Sequence, residues 1–168
     1  MKRNLVNILI LDDEENARWA LSKGLSNLGY NCLTAKNSSE ALVALKSKNI
    51  HVLLLDINLK EENGIDLIEK FIDLYPDIKI IMITGYDDLQ KVITSIKKGA
   101  YDYIPKPYEI EQIDISIIKA LQLLELETEI KTLRNISGYN IPEIIGKSDQ
   151  MKELKLLLSK TFSNDASV

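Results

Sequence analysis

Val52-Leu53-Leu54-Leu55 runs into Asp56 without a polar interruption. An apolar run of that length with no alternation fits a strand buried on both faces, the habit of strands inside a parallel sheet. A chain organised around such a strand needs helices above and below it. The acid constrains the fold further, because a carboxylate at the tip of a buried strand leaves the core where the strand ends. In open α/β sheets that carboxyl edge is where ligands bind. The plain alternative is that Asp56 caps the following turn.

The rest of the chain alternates strands with helices. Leu5 to Leu11 reads as a first buried strand, halted by Asp12-Asp13. Glu15 to Leu28 has helical spacing at Ala17, Leu21, Leu25 and Leu28, with Gly29 as a natural stop. Asn31 to Ala35 is a short strand, and Ser38-Ser39 is placed to cap a helix through about Lys48 bearing Ala41, Leu42 and Leu45 on one face. A polar loop from Lys60 to Asn63 leads to Gly64 and a helix whose inner face is Leu67, Ile68, Phe71 and Ile72, broken at Pro76-Asp77. Lys79 to Thr84 is a fourth strand closed by Gly85, and Asp87 to Lys98 is a helix ending at Gly99. Tyr101 to Ile104 is a fifth strand, followed by the tight turn Pro105-Lys106-Pro107, and Glu109 opens a long last helix. Trp19 and Cys32 are expected to pack rather than to bind a ligand, and His51 to serve structure.

Five strands alternating with five helices predict right-handed crossovers and a parallel sheet covered on both faces. The expected order is 2-1-3-4-5, the flavodoxin-like, doubly wound α/β arrangement. It sets strands one and three side by side, so that Asp12, Asp13 and Asp56 converge on one crevice, with Thr84 and Lys106 arriving from strands four and five. Three carboxylates that close repel one another, and the site needs a cation or a retained proton. All-oxygen donors favour magnesium, which keeps several waters and partners with phosphate. The alternative for Asp12-Asp13 is an N-cap and first-turn acid for the next helix. Lys106 supplies a point charge suited to a phosphate oxygen, and Thr84 a hydroxyl. A carboxylate can itself attack phosphorus to form an aspartyl phosphate.

In this order, at these strand ends, Asp12-Asp13, Asp56, Thr84-Gly85 and Lys106-Pro107 resemble the signature of CheY-like receiver domains of two-component response regulators. The resemblance covers about residues 5 to 124. It implies that Asp56 is the phosphoacceptor, and that Asp13, Asp56 and the backbone carbonyl of Asn58 ligate Mg2+ with Asp12 acting through water. It implies that Lys106 pairs with the acyl phosphate across a cis bond to Pro107, and that Thr84 and Tyr103 move as the domain switches. The implied donor is a sensor histidine kinase. Two positions depart from the pattern: Lys60 stands where proline is usual, and Asn63 where an acid is common. Tyr86 and Asn58 flank the expected path of attacking water, where they either tune dephosphorylation or are ordinary loop residues.

The last helix carries two stripes. Ile113, Ile117, Leu121 and Leu124 suit packing on the sheet, whereas Leu123, Leu126, Ile130 and Leu133 follow a 3-4-3 coiled-coil spacing. The second stripe predicts a homodimer through that helix, the alternative being a solvated extension. Asn135 to Pro142 reads as a linker, and Ser148 caps a further amphipathic helix bearing Met151, Leu154, Leu157 and Leu158. The stretch from Ile144 to Leu154 resembles the entry to the AAA+ ATPase domain of nitrogen-regulator (NtrC-like) activators of sigma-54 RNA polymerase. The domains expected are a receiver over 1–124, a helical dimerisation linker over 125–142, and the start of a truncated ATPase domain over 143–168. No G-x-x-x-x-G-K-[ST] is present, so the stretch is expected not to hydrolyse ATP, and AAA+ and DNA-binding domains are expected in the full-length protein.

Composition narrows the classes. Apolar residues at 45% and charged residues at 27% support a globular core rather than disorder. Net charge is -4 with Lys and Arg scattered, so no nucleic-acid contact is expected of this fragment. One cysteine excludes an internal disulfide and fits a reducing compartment. The first apolar run is short, contains Asn7 and ends in Asp12-Asp13-Glu14-Glu15, which argues against export; a cytoplasmic, non-membrane protein is expected. Two rival readings are a Mg-dependent phosphatase with an aspartyl nucleophile and a phosphorylation-independent dimerisation module. The first typically carries a second acid two residues after the nucleophile, where this chain has Asn58. The second would tolerate loss of an acid or of Lys106, and all are present.

Overall fold

Strand alternation sends successive side chains to opposite faces, and the central strand of this chain is apolar on both. In the computed structural model, which describes residues 2–85 and 89–136, β3 (Val52–Asp56) is buried at every position. It lies between β1 (Asn7–Leu11) and β4 (Lys79–Thr84), with β2 (Asn31–Ala35) and β5 (Asp102–Pro105) at the edges. All pairings are parallel, and the order is β2-β1-β3-β4-β5. This is the flavodoxin-like sheet that the sequence implies.

The helices are α1 (Glu15–Asn27), α2 (Ser38–Ser47), α3 (Gly64–Leu74), α4 (Leu89–Lys97) and α5 (Ile110–Ile136). One core layer joins Leu9, Leu53, Leu55 and Met82 to Ala41 and Leu45 of α2 and to Ile68 and Phe71 of α3. The other joins Ile8, Ile10, Leu54 and Ile81 to Leu21 and Leu25 of α1 and to Ile113, Ile117 and Leu121 of α5. The sheet-packing stripe read from the last helix is buried through Leu124. Lys79, at the start of β4, then grips α5 with its ammonium 2.9 and 2.8 Å from the two carboxylate oxygens of Glu127.

Several local expectations shift. The first strand begins at Asn7, because Arg3–Leu5 forms a single 3-10 turn. The cap of α2 is Asn37, whose side chain accepts from the Glu40 amide; Ser38 lies inside the helix, where Glu62 takes its hydroxyl. Trp19 is 69% exposed rather than packed. Two residues at 100° each place it across the helix from Leu21, so the core-facing stripe of α1 excludes it. Gly29 ends α1 at a φ of 95°, with Tyr30 N–H returning to the Leu25 carbonyl, a left-handed cap natural to glycine.

The chain divides into two units at Thr128, and of the second only the end of α5 is described. The expected linker beyond residue 136 and the Ser148 helix with Met151, Leu154, Leu157 and Leu158 lie outside the described residues. Among the described residues no helix is long and apolar enough to cross a membrane.

Candidate functional site

The parallel register decides what meets at the carboxyl edge. Leu11 pairs with Leu55, and Asp56 with Ile83, so Asp12 follows β1 just where β3 ends in Asp56 and β4 in Thr84. Lys106 follows β5, its amide bonded to the Thr84 carbonyl at 2.7 Å. The peptide bond from Lys106 to Pro107 is cis.

Asp12, Asp13 and Asp56 each offer a carboxylate oxygen within 4.8 Å of the others. Asp12 and Asp56 are buried, at 1% and 6% exposure. The Lys106 ammonium bridges them, 3.2 Å from Oδ2 of Asp12 and 3.1 Å from Oδ2 of Asp56. Asp12 is fixed further by the Glu14 amide, which donates to its Oδ1 at 2.8 Å, and by Arg18, whose guanidinium donates to its carbonyl at 2.7 Å. Asp56 receives one long bond from the Asn58 amide at 3.4 Å.

Burial pushes the Asp56 carboxyl above its ordinary range; Lys106 opposes that shift and Asp12 adds to it. Burial alone would lower the Lys106 ammonium, but Asp56 and Asp12 outweigh it and raise its pKa. A charged lysine therefore faces two crowded acids. The donor set is all oxygen with no thiolate or imidazole, which is chemistry suited to a hard divalent cation.

Gly64 allows α3 to begin against the site. A Cβ there would sit 2.1 Å from the Asp56 carbonyl oxygen, so only glycine fits that approach. Asn63 caps α3 by accepting from the Ile65 amide at 3.0 Å, and it pairs back to Asn58. These bonds shape the loop carrying Asn58 and Lys60.

Thr84 is buried beside the crevice, its hydroxyl donating to the Gly85 carbonyl at 3.1 Å. Tyr103 is 42% exposed on β5, in register with Met82, and is not gathered into the acid cluster. Tyr86 lies outside the described residues. Leu123 is half-buried, whereas Leu126, Ile130 and Leu133 are 56%, 48% and 65% exposed. His51 stands at the opposite edge, its Nδ1 accepting the Asn7 amide at 3.1 Å.

Three features of the site were not legible in the sequence. Arg18 anchors Asp12 from the first turn of α1, and Lys60 reaches Asp13 at 3.6 Å. Tyr108 has its phenol pKa raised by burial first, with Lys106 opposing and the charges of Asp12 and Asp56 adding to it. Its place directly after Pro107 was the available signal.

A five-stranded parallel sheet with an acid cluster and a bridging lysine at its switch point is the framework of a receiver domain. The profile of the response regulator receiver domain family matches residues 8–118, and the chain belongs to that family. Among individual proteins, the whole chain aligns at 28% identity with the DNA-binding transcriptional regulator NtrC of Escherichia coli K12, covering 35% of it. NtrX of Brucella abortus, crystallised with ADP, superposes with a TM-score of 0.76 at 27% identity over 92% of this chain and 33% of its own. The solution structure of the beryllofluoride-activated NtrC4 receiver domain dimer superposes with a TM-score of 0.66 at 32% identity, over 70% of this chain and 98% of its own. The sequence thus spans about a third of the length of the curated relatives it matches.

Proposed function

We propose that the crevice is a phosphorylation switch in which Asp56 accepts a phosphoryl group from a sensor histidine kinase. The observation that carries this reading is the Lys106 ammonium held between Asp56 and Asp12 at 3.1 and 3.2 Å. Burying acids and a cation there gains nothing for the core, and it aims fixed charge at the acid ending the central strand. An Asp56 carboxylate oxygen forms the new P–O bond, the bond from phosphorus to the donor's imidazole nitrogen breaks, and the electron pair stays on nitrogen. Lys106 then pairs with a phosphoryl oxygen, and the Thr84 hydroxyl donates to another. Asp13, Asp56 and the Asn58 carbonyl are the groups to hold Mg2+, with Asp12 acting through water. The ion, when bound, offsets the acids' repulsion and the charge on the phosphoryl oxygens.

Thr84 and Tyr103 are the switch pair, and the phosphoryl group shifts a two-state equilibrium by its differential contacts. Residues 1–124 form the receiver, 125–142 a helical linker that dimerises through Leu123, Leu126, Ile130 and Leu133, and 143–168 the entry to an ATPase domain. The solvent-facing stripe on α5 supports the dimer, as does the dimer of the related NtrC4 receiver. Likeness to NtrC and NtrX supports a cytoplasmic regulator that controls attached AAA+ and DNA-binding domains of a sigma-54-dependent activator. The only reaction assigned to the chain is turnover of its own phosphoryl group.

Intact mass after incubation with Mg2+ and acetyl phosphate tests this. One phosphate-sized, base-labile gain is expected on the native chain and none on Asp56→Asn. No gain on a folded native chain, or a gain that persists in the variant, overturns the assignment.

A further inference from the structure

Lys60 lies in the loop between β3 and α3, with its ammonium 3.6 Å from Oδ2 of Asp13. The loop is tied down around it. Glu62 accepts from the Ser38 amide at 2.9 Å and from the Ser38 hydroxyl, and Asn63 pairs with Asn58. The backbone beneath Lys60 is therefore held, while its side chain, 80% exposed, can swing. Among the described ion pairs, Lys106 serves Asp12 and Asp56, and Lys60 serves Asp13. The acid cluster thus carries a second cation of the chain's own, a solvent-exposed one paired with Asp13.

We infer that Lys60 is a positioning residue that competes with a divalent cation for Asp13 and so sets how tightly metal binds this receiver. The inference rests on the metal-site reading above. A divalent ion arriving at Asp13 meets an ammonium already on that carboxylate, and like charges at a few ångströms repel. Because Lys60 stands in water, screening holds the effect to several-fold rather than orders of magnitude. Its tethered loop keeps the ammonium near the site, so the competition persists as long as the fold does.

The test is calorimetric titration of the 168-residue chain with Mg2+ at low ionic strength. Lys60→Gln is expected to bind roughly three- to tenfold more tightly than the native chain, with the gap narrowing in salt. Lys60→Arg, which keeps the charge, is expected to stay within about twofold of native. Lys36→Gln removes an equal charge from the same small cleft, where Lys36 pairs with Glu40 at 3.3 Å, and serves as the control. It is expected to stay within about twofold as well. Native-like or weaker binding by Lys60→Gln overturns the inference, as does an equal gain from Lys36→Gln. If the native chain shows no saturable Mg2+ binding, or Asp13→Asn leaves binding unchanged, the metal-site reading itself falls and the role of Lys60 with it.

Discussion

His51 illustrates how a single side chain can tune this fold far from its chemistry. Burial lowers its pKa, and its Nδ1 accepts the Asn7 amide, a role a protonated ring cannot fill. A histidine whose folded-state pKa is depressed adds stability that is present above its unfolded value near 6.5 and is lost as pH falls through the folded value. Urea unfolding at pH 7.5 and 5.0 is therefore expected to show a larger acid loss for the native chain than for His51→Gln, and equal losses would contradict the account. At this scale the sequence was informative wherever a residue ended a strand. Asp12, Asp13, Asp56, Thr84 and Lys106 could be placed at the carboxyl edge from that, and gathered there by the strand order. Lys60 with Asp13, and Arg18 with the Asp12 carbonyl, were not legible, because long flexible side chains choose partners from three-dimensional neighbours rather than from spacing.

Elements were legible where apolar periodicity was strong. The runs in β1, β3 and β4 and the stripe of α3 had one solution, since a strand buried on both faces or a helix with one apolar stripe can be placed in one way. By contrast, α5 carries two stripes and only the sheet-facing one is buried. Helix starts were less clear. Several side chains before α2 can accept an amide proton, and Asn37 rather than Ser38 does so, because Asn37 keeps the extended backbone of a cap while Ser38 already lies in the helix. Trp19, expected to pack, is exposed because its position on α1 lies off the stripe of Leu21 and Leu25. Gly64 belongs to this scale: its missing Cβ lets α3 begin on the Asp56 carbonyl. Gly64→Ala must move backbone, so a loss of about 2 kcal/mol or more is expected in urea unfolding. A neutral effect would contradict the close approach.

At the scale of the whole molecule the sheet order followed from chain chirality and the count of βα units, and the site followed from the switch point that order creates. The linker and the Ser148 helix read from residue pattern, and the ATPase entry read from resemblance, lie beyond residue 136, outside the described residues. The apolar stripe on α5 gives the dimer proposal its test. Light scattering is expected to find a dimer for the native chain and a monomer for the pair Leu126→Lys and Ile130→Lys, both exposed positions whose change spares the receiver core. A native monomer, or a dimer unchanged by the pair, would contradict the linker assignment.

The central claim is that the acid ending β3 carries the phosphoryl group, and the most direct measurement traps that group where it forms. Borohydride reduces an aspartyl phosphate to homoserine, which survives proteolysis and can be located by peptide sequencing in a mass spectrometer. After treatment with Mg2+ and acetyl phosphate, the account predicts homoserine at position 56 and nowhere else. Homoserine at position 12 or 13, or its absence from a chain that is folded and binds metal, would contradict it.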